Sequence, residues 1–191
     1  MRVWLRPFTR LLALLLTLSW IGCIDVTFDQ PQPPQRWDRK QIPRAWTGTW
    51  IPADVDGEVE EQDVITITQN SITGNLFDES VELTLETMHV RWFRGHLVFS
   101  TPVEEKTNAY RVFLAQRHQN QMAVYSFSAE VEKVAIWQDA LGAEIQKTTG
   151  ADGSVKAIHM APANNAAFKA LMQQGGLTQE GTLVRAGAET P

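Results

Sequence analysis

The sequence predicts a mainly β protein, with a small antiparallel β-barrel or a strongly curved sheet and one C-terminal α-helix. Three observations predict this fold class. Several short segments alternate apolar and polar residues, which is typical of half-buried strands. Turn residues separate these segments at short spacing, which favours a meander of about eight strands. One segment near the C-terminus combines an N-cap residue with helical spacing of apolar residues.

The predicted strands follow one another along a single domain, residues 46–186. In residues 81–86, valine and leucine alternate with glutamate and threonine, which makes this the clearest half-buried strand. Turns are predicted at 73–75, 94–95 and 151–154, and the last of these joins two strands as a hairpin. The predicted strands are 48–50, 64–68, 81–86, 90–93, 97–100, 110–115, 122–128, 144–148, 155–160 and 182–185.

Two of these strands are apolar on both sides. In residues 110–115, Val112 and Leu114 share one face, while Phe113 lies on the other. Residues 122–128 have the same character. Such strands need apolar cover on both faces, as from a core on one side and a packed helix on the other.

Residues 164–174 are predicted to form that helix. The segment begins with asparagine, a favoured N-cap residue, and places Phe168, Leu171 and Met172 on one stripe. The glycine pair at 175–176 then ends the helix.

Residues 128–142 fit two interpretations. As a helix, the segment has a serine cap, apolar residues on one face and a terminal glycine. As a strand, Val134–Trp137 is a short run of β-branched and aromatic residues. The strand is the preferred interpretation.

The first 23 residues have the order of a secretory signal. Three arginines precede an uncharged, leucine-rich run, and Gly22 stands directly before Cys23. Trp20-Ile21-Gly22-Cys23 resembles the lipobox of bacterial lipoproteins. The resemblance implies cleavage before Cys23, acylation of its thiol and amino group, and a membrane bound through that lipid. It also implies the cell envelope as location. In some Gram-negative lipoproteins an aspartate directly after the cysteine favours retention in the inner membrane, and because this chain has Ile24 there, the resemblance favours the outer membrane.

Two other interpretations of this leader stay open. The first is an uncleaved membrane anchor, although the uncharged run from Leu11 to Ile24 has 14 residues and a spanning helix needs about 20. The second is a secreted protein with a chance cysteine at the end of its apolar run. Because the chain has 1 cysteine, no disulfide can form within it.

The predicted organisation has four parts. A signal peptide covers residues 1–22, a lipidated Pro/Gln-rich tether 23–45, the β-rich domain 46–186, and a tail 187–191. The proline and glutamine of the tether favour an extended, semi-rigid spacer. Its two aromatic residues, Phe28 and Trp37, leave open whether its second half docks on the domain.

The domain opens with Gly48-Thr49-Trp50. This Gly-x-Trp element resembles the first-strand signature of lipocalins, in which the tryptophan closes one end of a small barrel. The resemblance implies a carrier of a small apolar ligand. The other interpretation is the start of an ordinary strand with a buried tryptophan.

Charge and composition exclude some function classes. Removing residues 1–22 removes three arginines and no acidic residue, which takes the formal charge from −5 to −8. A chain of this charge lacks the basic surface that phosphate contacts require, so nucleic acid is not an expected partner.

Candidate catalytic and metal-binding residues are few. The 4 histidines, which are His89, His96, His118 and His159, have no local metal-binding spacing, although His89 and His96 could approach each other across a hairpin. Asp54 and Asp56 begin an acidic cluster that could hold calcium, but the remaining spacing of a calcium loop is missing. Neither a nucleophile elbow nor a phosphate loop is present. No cofactor or metal is therefore expected, and an enzyme is not predicted.

These patterns predict a membrane-anchored envelope lipoprotein that acts as a non-catalytic binding or assembly module. Its expected partner besides the membrane is an envelope protein or an apolar small molecule. The alternative is a lipocalin-like carrier, and the sequence leaves open whether the barrel is hollow or filled.

Overall fold

The structure is a computed structural model that describes residues 24–53, 64–76, 79–104, 106–128, 130–173 and 175–187. Within these ranges the chain forms 12 strands in one sheet and two α-helices. The prediction of a mainly β protein is therefore confirmed.

The helices are α1 (Val131–Leu141) and α2 (Asn165–Met172), and 3-10 turns lie at Arg44–Trp46 and Gly142–Glu144. The strands are β1 (Asp25–Phe28), β2 (Gly48–Ala53), β3 (Ile65–Ile67), β4 (Ser71–Leu76), β5 (Glu79–Thr84), β6 (His89–Phe93), β7 (His96–Pro102), β8 (Tyr110–His118), β9 (Gln121–Ser126), β10 (Ile145–Thr149), β11 (Val155–Met160) and β12 (Thr178–Arg185).

The sheet is mixed, and over the described residues it does not close into a barrel, which corrects the predicted antiparallel meander of about eight strands. Its main path runs β10-β11-β1-β8-β9-β12-β2-β3-β4-β5, and the β6–β7 hairpin joins it at β8. Strand β1 runs parallel to β11, and this pair makes the sheet mixed. Strand β8 is the branch point, because it pairs with β7, β9 and β1.

The predicted turn at 73–75 is wrong, because strand β4 passes through it. Gly74 pairs with Ile65 on one side and with Val81 on the other. Its φ is +134°, and a Cβ at this position would clash with the carbonyl group of Val64. The glycine serves a close backbone approach inside a strand rather than a turn.

The preferred strand over Val134–Trp137 is also wrong, and the helical alternative is found as α1. Val134, Trp137 and Leu141 are buried at helical spacing. The indole nitrogen of Trp137 donates a hydrogen bond to the carbonyl oxygen of Gly176 at 2.9 Å. Packing of this stripe outweighs the β propensity of its residues, which is a weak preference by comparison. The described part of the chain therefore has two α-helices rather than the one predicted.

The predicted C-terminal helix is found as α2. The side-chain oxygen of Asn164 accepts hydrogen bonds from the backbone nitrogens of Ala166 and Ala167, at 2.8 and 3.0 Å. Phe168 and Leu171 are fully buried under this helix. The cap and the apolar stripe act as the sequence predicts.

The sheet has apolar cover on both faces, as predicted from residues 110–115. Val112 and Leu114 face the helices, whereas Ala115 faces the other side. We call the first cluster the helix-side core; its buried members are Phe28, Phe93, Val98, Val112, Leu114, Phe127, Val134, Trp137, Leu141, Ile158, Met160, Phe168 and Leu171. We call the second the cavity-side core; its buried members are Ile42, Trp46, Trp50, Ile65, Ile67, Met88, Val90, Leu97, Phe99, Ala115, Met122 and Leu183.

The segment predicted as a tether is folded onto the domain from its first described residues. Residues 25–28 form β1 inside the sheet. Phe28 is 0% exposed, and its ring meets those of Phe127 and Phe168 edge to face, at 5.0 and 6.3 Å between centroids. Trp37, by contrast, is 94% exposed. The residues rich in proline and glutamine, 30–35, form no strand, and the segment joins the sheet through β1, which precedes them.

Polar contacts fix the rest of this segment. The backbone nitrogen of Gln32 donates to the hydroxyl of Ser100 at 2.9 Å, and both residues are buried. Arg91 of β6 donates to the carbonyl oxygen of Pro33 at 2.8 Å and pairs with Asp38 at 2.7 Å. These bonds hold Gln32, Pro33 and Asp38 against β6 and β7, so this part of the segment packs on the domain, although Trp37 and its neighbours are exposed.

Among the described residues, no helix has both the length and the apolar character needed to cross a bilayer.

We expect Phe28→Ala to lower the free energy of unfolding by about 3–5 kcal/mol, because it removes a large, fully buried side chain from the helix-side core. Trp37→Ala is the matched control in the same segment and should change stability by about 0.5 kcal/mol or less, since its side chain is exposed. Urea unfolding followed by circular dichroism measures both. Equal effects of the two variants would contradict the assignment of residues 24–46 to the fold.

Candidate functional site

An apolar cavity of about 330 Å³ lies on the face of the sheet opposite the helices. Its walls come from β3, β4, β5, β7, β8, β9 and β12, and 12 of the 13 described residues that line it are apolar. Ile67, Leu83, Phe99, Phe113, Met122 and Leu183 represent these walls.

Alternation along two paired strands forms one wall of the cavity. Phe113 and Ala115 of β8 point to this side, and the cross-strand partner of Ala115 is Val124 of β9. Residues that are directly opposite in an antiparallel pair share a face, so these apolar side chains lie together. Phe113 is 39% exposed, which places it where the cavity meets solvent.

Two tryptophans fill the part of the cavity-side core next to the cavity. Trp46 and Trp50 are both buried, and the indole nitrogen of Trp50 donates to the carbonyl oxygen of Trp46 at 3.0 Å. Neither residue lines the cavity. The predicted Gly-x-Trp element therefore lies on β2 in the cavity-side core, beyond the end of the open space.

Arg185 completes this arrangement. Its guanidinium lies over the ring of Trp50, 5.4 Å from the centroid, and it donates to the carbonyl oxygen of Thr47. A Cβ at Gly48 would lie 3.2 Å from two guanidinium nitrogens, and the φ of Gly48 is +134°. The glycine of the motif leaves room for the arginine that covers its tryptophan.

Glu180 is the only polar residue among the described residues that line the cavity. It lies at a β-bulge of β12, where Gln179 pairs with Tyr125 and Gly181 pairs with Val124. Glu180 is the extra residue between these two pairs, and a bulge redirects such a side chain. The hydroxyl of Ser126 donates a hydrogen bond to its carboxylate.

The histidines of the sequence analysis do not form a common site. His89 pairs with Ser100 at one end of the β6–β7 hairpin, whereas His96 lies at the turn, opposite Phe93. The Nδ1 atom of His89 contacts Asp38 at 2.9 Å, and that of His96 contacts the carbonyl oxygen of Arg94 at 3.1 Å. His159 contacts the hydroxyl of the buried Thr27 at 3.0 Å.

Cys23, Asp54 and Asp56 lie outside the described residues. Within the part of the chain that the structure describes, no group of three or more His, Cys, Asp or Glu side chains is arranged to hold a metal ion.

Two aspartates beside β1 have shifted acidities, and both lie away from the cavity lining. Burial raises the pKa of Asp29, whose Oδ1 has no hydrogen-bond partner among the described residues. A hydrogen bond from Lys106, at 2.7 Å, lowers the pKa of Asp25, and the nearby Arg111 adds to this effect. Neither carboxylate therefore belongs to the cavity, and the ion pairs of Asp25 hold the start of β1.

Comparisons of the chain with protein-family models, with curated proteins and with solved structures gave no significant match.

Sequence reasoning missed two residues of this site, Arg185 and Glu180. Arg185 ends a predicted strand, and only its pairing with Trp50 shows its role. Glu180 precedes a glycine, and a glycine inside a strand pattern is a signal for a bulge. That signal could have marked Glu180, but not the face to which its side chain turns.

We expect Arg185→Ala to lower the free energy of unfolding by about 1–2 kcal/mol, because it removes the cover of Trp50 and a charged hydrogen-bond donor. Arg36→Ala is the control. Its exposed guanidinium lies 5.9 Å from the ring centroid of Phe93, so its removal should cost about 0.5 kcal/mol or less. Urea unfolding measures the free energy of unfolding of both variants. If Arg185→Ala leaves this free energy unchanged, the arginine does not stabilise this end of the core.

Proposed function

We propose that this protein binds a small apolar ligand in the cavity opposite the helices, as a non-catalytic module anchored in the bacterial cell envelope by lipid on Cys23. The observation that carries the proposal is the cavity itself. Its volume of about 330 Å³ falls at the lower end of the range for small-molecule sites, about 300–1,000 Å³.

The composition of the walls supports an apolar ligand. Of the lining residues that the structure describes, 12 of 13 are apolar, so water inside gains few hydrogen bonds from them. An apolar molecule that displaces this water gains about 25 cal/mol for each Å² that it buries. Sites for small molecules typically combine such walls with a few polar groups that set orientation.

The position of the cavity also supports binding. The two tryptophans and Arg185 fill the core at one end, and Phe113 is exposed at the other. This arrangement is similar to the closed end that the Gly48-Thr49-Trp50 resemblance implies. It favours the carrier interpretation over a filled core that serves only protein contacts.

A binding role without catalysis fits the lining. Acid–base catalysis generally uses groups positioned together with shifted acidities. The described lining offers Glu180 as its single ionisable side chain.

The structure changes the expected geometry of the anchor. Because β1 begins at Asp25, two residues after Cys23, a lipid on Cys23 would hold the domain at the membrane surface. The proposed ligand would then be exchanged close to a bilayer, where apolar molecules are concentrated.

A larger side chain that fills the cavity tests the ligand site. Val124→Trp should lower the affinity for a neutral apolar fluorophore, N-phenyl-1-naphthylamine, by about tenfold or more, because the indole occupies the cavity. Gln116→Trp is the control, since Gln116 is exposed on β8 and alternation turns it away from the cavity. Fluorescence titration gives both affinities, and unfolding curves confirm that both variants are folded. If the native protein does not bind the fluorophore, or if both variants bind it with equal affinity, the cavity is not the ligand site.

The test of the anchor is separate. Cells that express the full chain and are fed radiolabelled palmitate should label the native protein, whereas Cys23→Ser should carry no label and keep its leader. Label on the serine variant, or none on the native chain, would reject lipidation at Cys23 without touching the ligand site.

A further inference from the structure

We propose that the ligand is an amphiphile with a cationic, hydrogen-bond-donating head, such as a primary ammonium group, and that Glu180 is the residue that selects this head. The inference rests on the proposed function and adds the chemical class of the ligand.

The placement of Glu180 is a specific feature of the backbone. Without the bulge, the strands β12 and β9 would pair continuously from Thr178 to Val184. The extra residue breaks this register at the position that lines the cavity. Because a bulge disrupts the ladder locally, it is a costly way to place an unneeded carboxylate. A charge that served only to keep the surface polar could lie on any exposed strand position.

The carboxylate is held in place by a neutral donor. Ser126 donates to one of its oxygens, Oε1. A carboxylate has room for further donors, since each oxygen accepts more than one hydrogen bond. A head group at the cavity can therefore bond to Glu180 without displacing Ser126.

Among the described residues, no cation forms an ion pair with Glu180. Lys133 of α1 reaches the start of β12, where it donates to Thr178. Its ammonium is already paired with Glu130 at 2.9 Å. The carboxylate of Glu180 can therefore pair with a cationic group of the ligand.

Charge complementarity then separates three classes of head. An ammonium group gains a charge-assisted hydrogen bond with Glu180, and a hydroxyl group gains a weaker, neutral one. A carboxylate head, as in a fatty acid, places like charges together in a chain whose formal charge is already −5. The expected order of affinity is amine, then alcohol, then carboxylate.

A matched series tests this order. Decylamine, decanol and decanoate share one alkyl chain, and each displaces N-phenyl-1-naphthylamine from the native protein, Glu180→Gln and Glu132→Gln. Glu132 is exposed on α1, on the other side of the sheet, so its variant has the same charge change away from the cavity. We expect Glu180→Gln to lower the affinity for decylamine by about fivefold, a modest factor for an exposed pair. The affinity for decanol should change little, and the affinity for decanoate should rise.

The outcomes separate the two proposals. If the fluorophore binds but the three heads compete equally, or if Glu180→Gln leaves their order unchanged, the head-group inference is overturned and the cavity remains the site. Equal effects of Glu132→Gln and Glu180→Gln would also overturn it, because the preference would then reflect overall charge. If the fluorophore does not bind the native protein, the proposed function itself fails.

Discussion

The requirement for apolar cover on both faces of β7, β8 and β9 governs this structure. The residues of these strands alternate between two cores, so neither face can be left to water without a large loss of burial energy. The two helices cover one face, where Phe28 of the neighbouring strand β1 joins the closely packed aromatic rings. On the other face, side chains of β3–β5 and β12 line the cavity together with those of β7–β9.

Much of the fold could be predicted from alternation and capping. The two-faced character of residues 110–115 indicates cover on both sides, and that cover is present. Asn164 caps its helix as its residue type predicts. These signals are local, because each depends on residues a few positions apart. Local signals fail where a distant partner decides, as at Val134–Trp137, whose conformation follows from the packing of Trp137 against Gly176.

The remaining differences have the same origin. Strand β1 is 4 residues long, which is too short for alternation to identify, and its partners β11 and β8 are distant in sequence. Gly74 is needed inside a strand because the backbone of Val64 comes close to it. The position of Glu180 depends on a register shift between β12 and β9. At the site, the sequence alone marks Trp50 through the Gly48-Thr49-Trp50 element. The roles of Arg185 and Glu180 follow only from the pairing of β12 with β2 and β9.

The topology of the sheet has a consequence for the order in which the chain folds. Strands β1 and β2, near the N-terminus, pair with β11 and β12, near the C-terminus, and Thr27 meets His159 across 132 positions. Contacts this distant in sequence are slow to form, because a long loop must close before they contribute. A nascent chain cannot complete this sheet until β12 has left the ribosome. The parallel pairing of β1 likewise waits for the residues of β11.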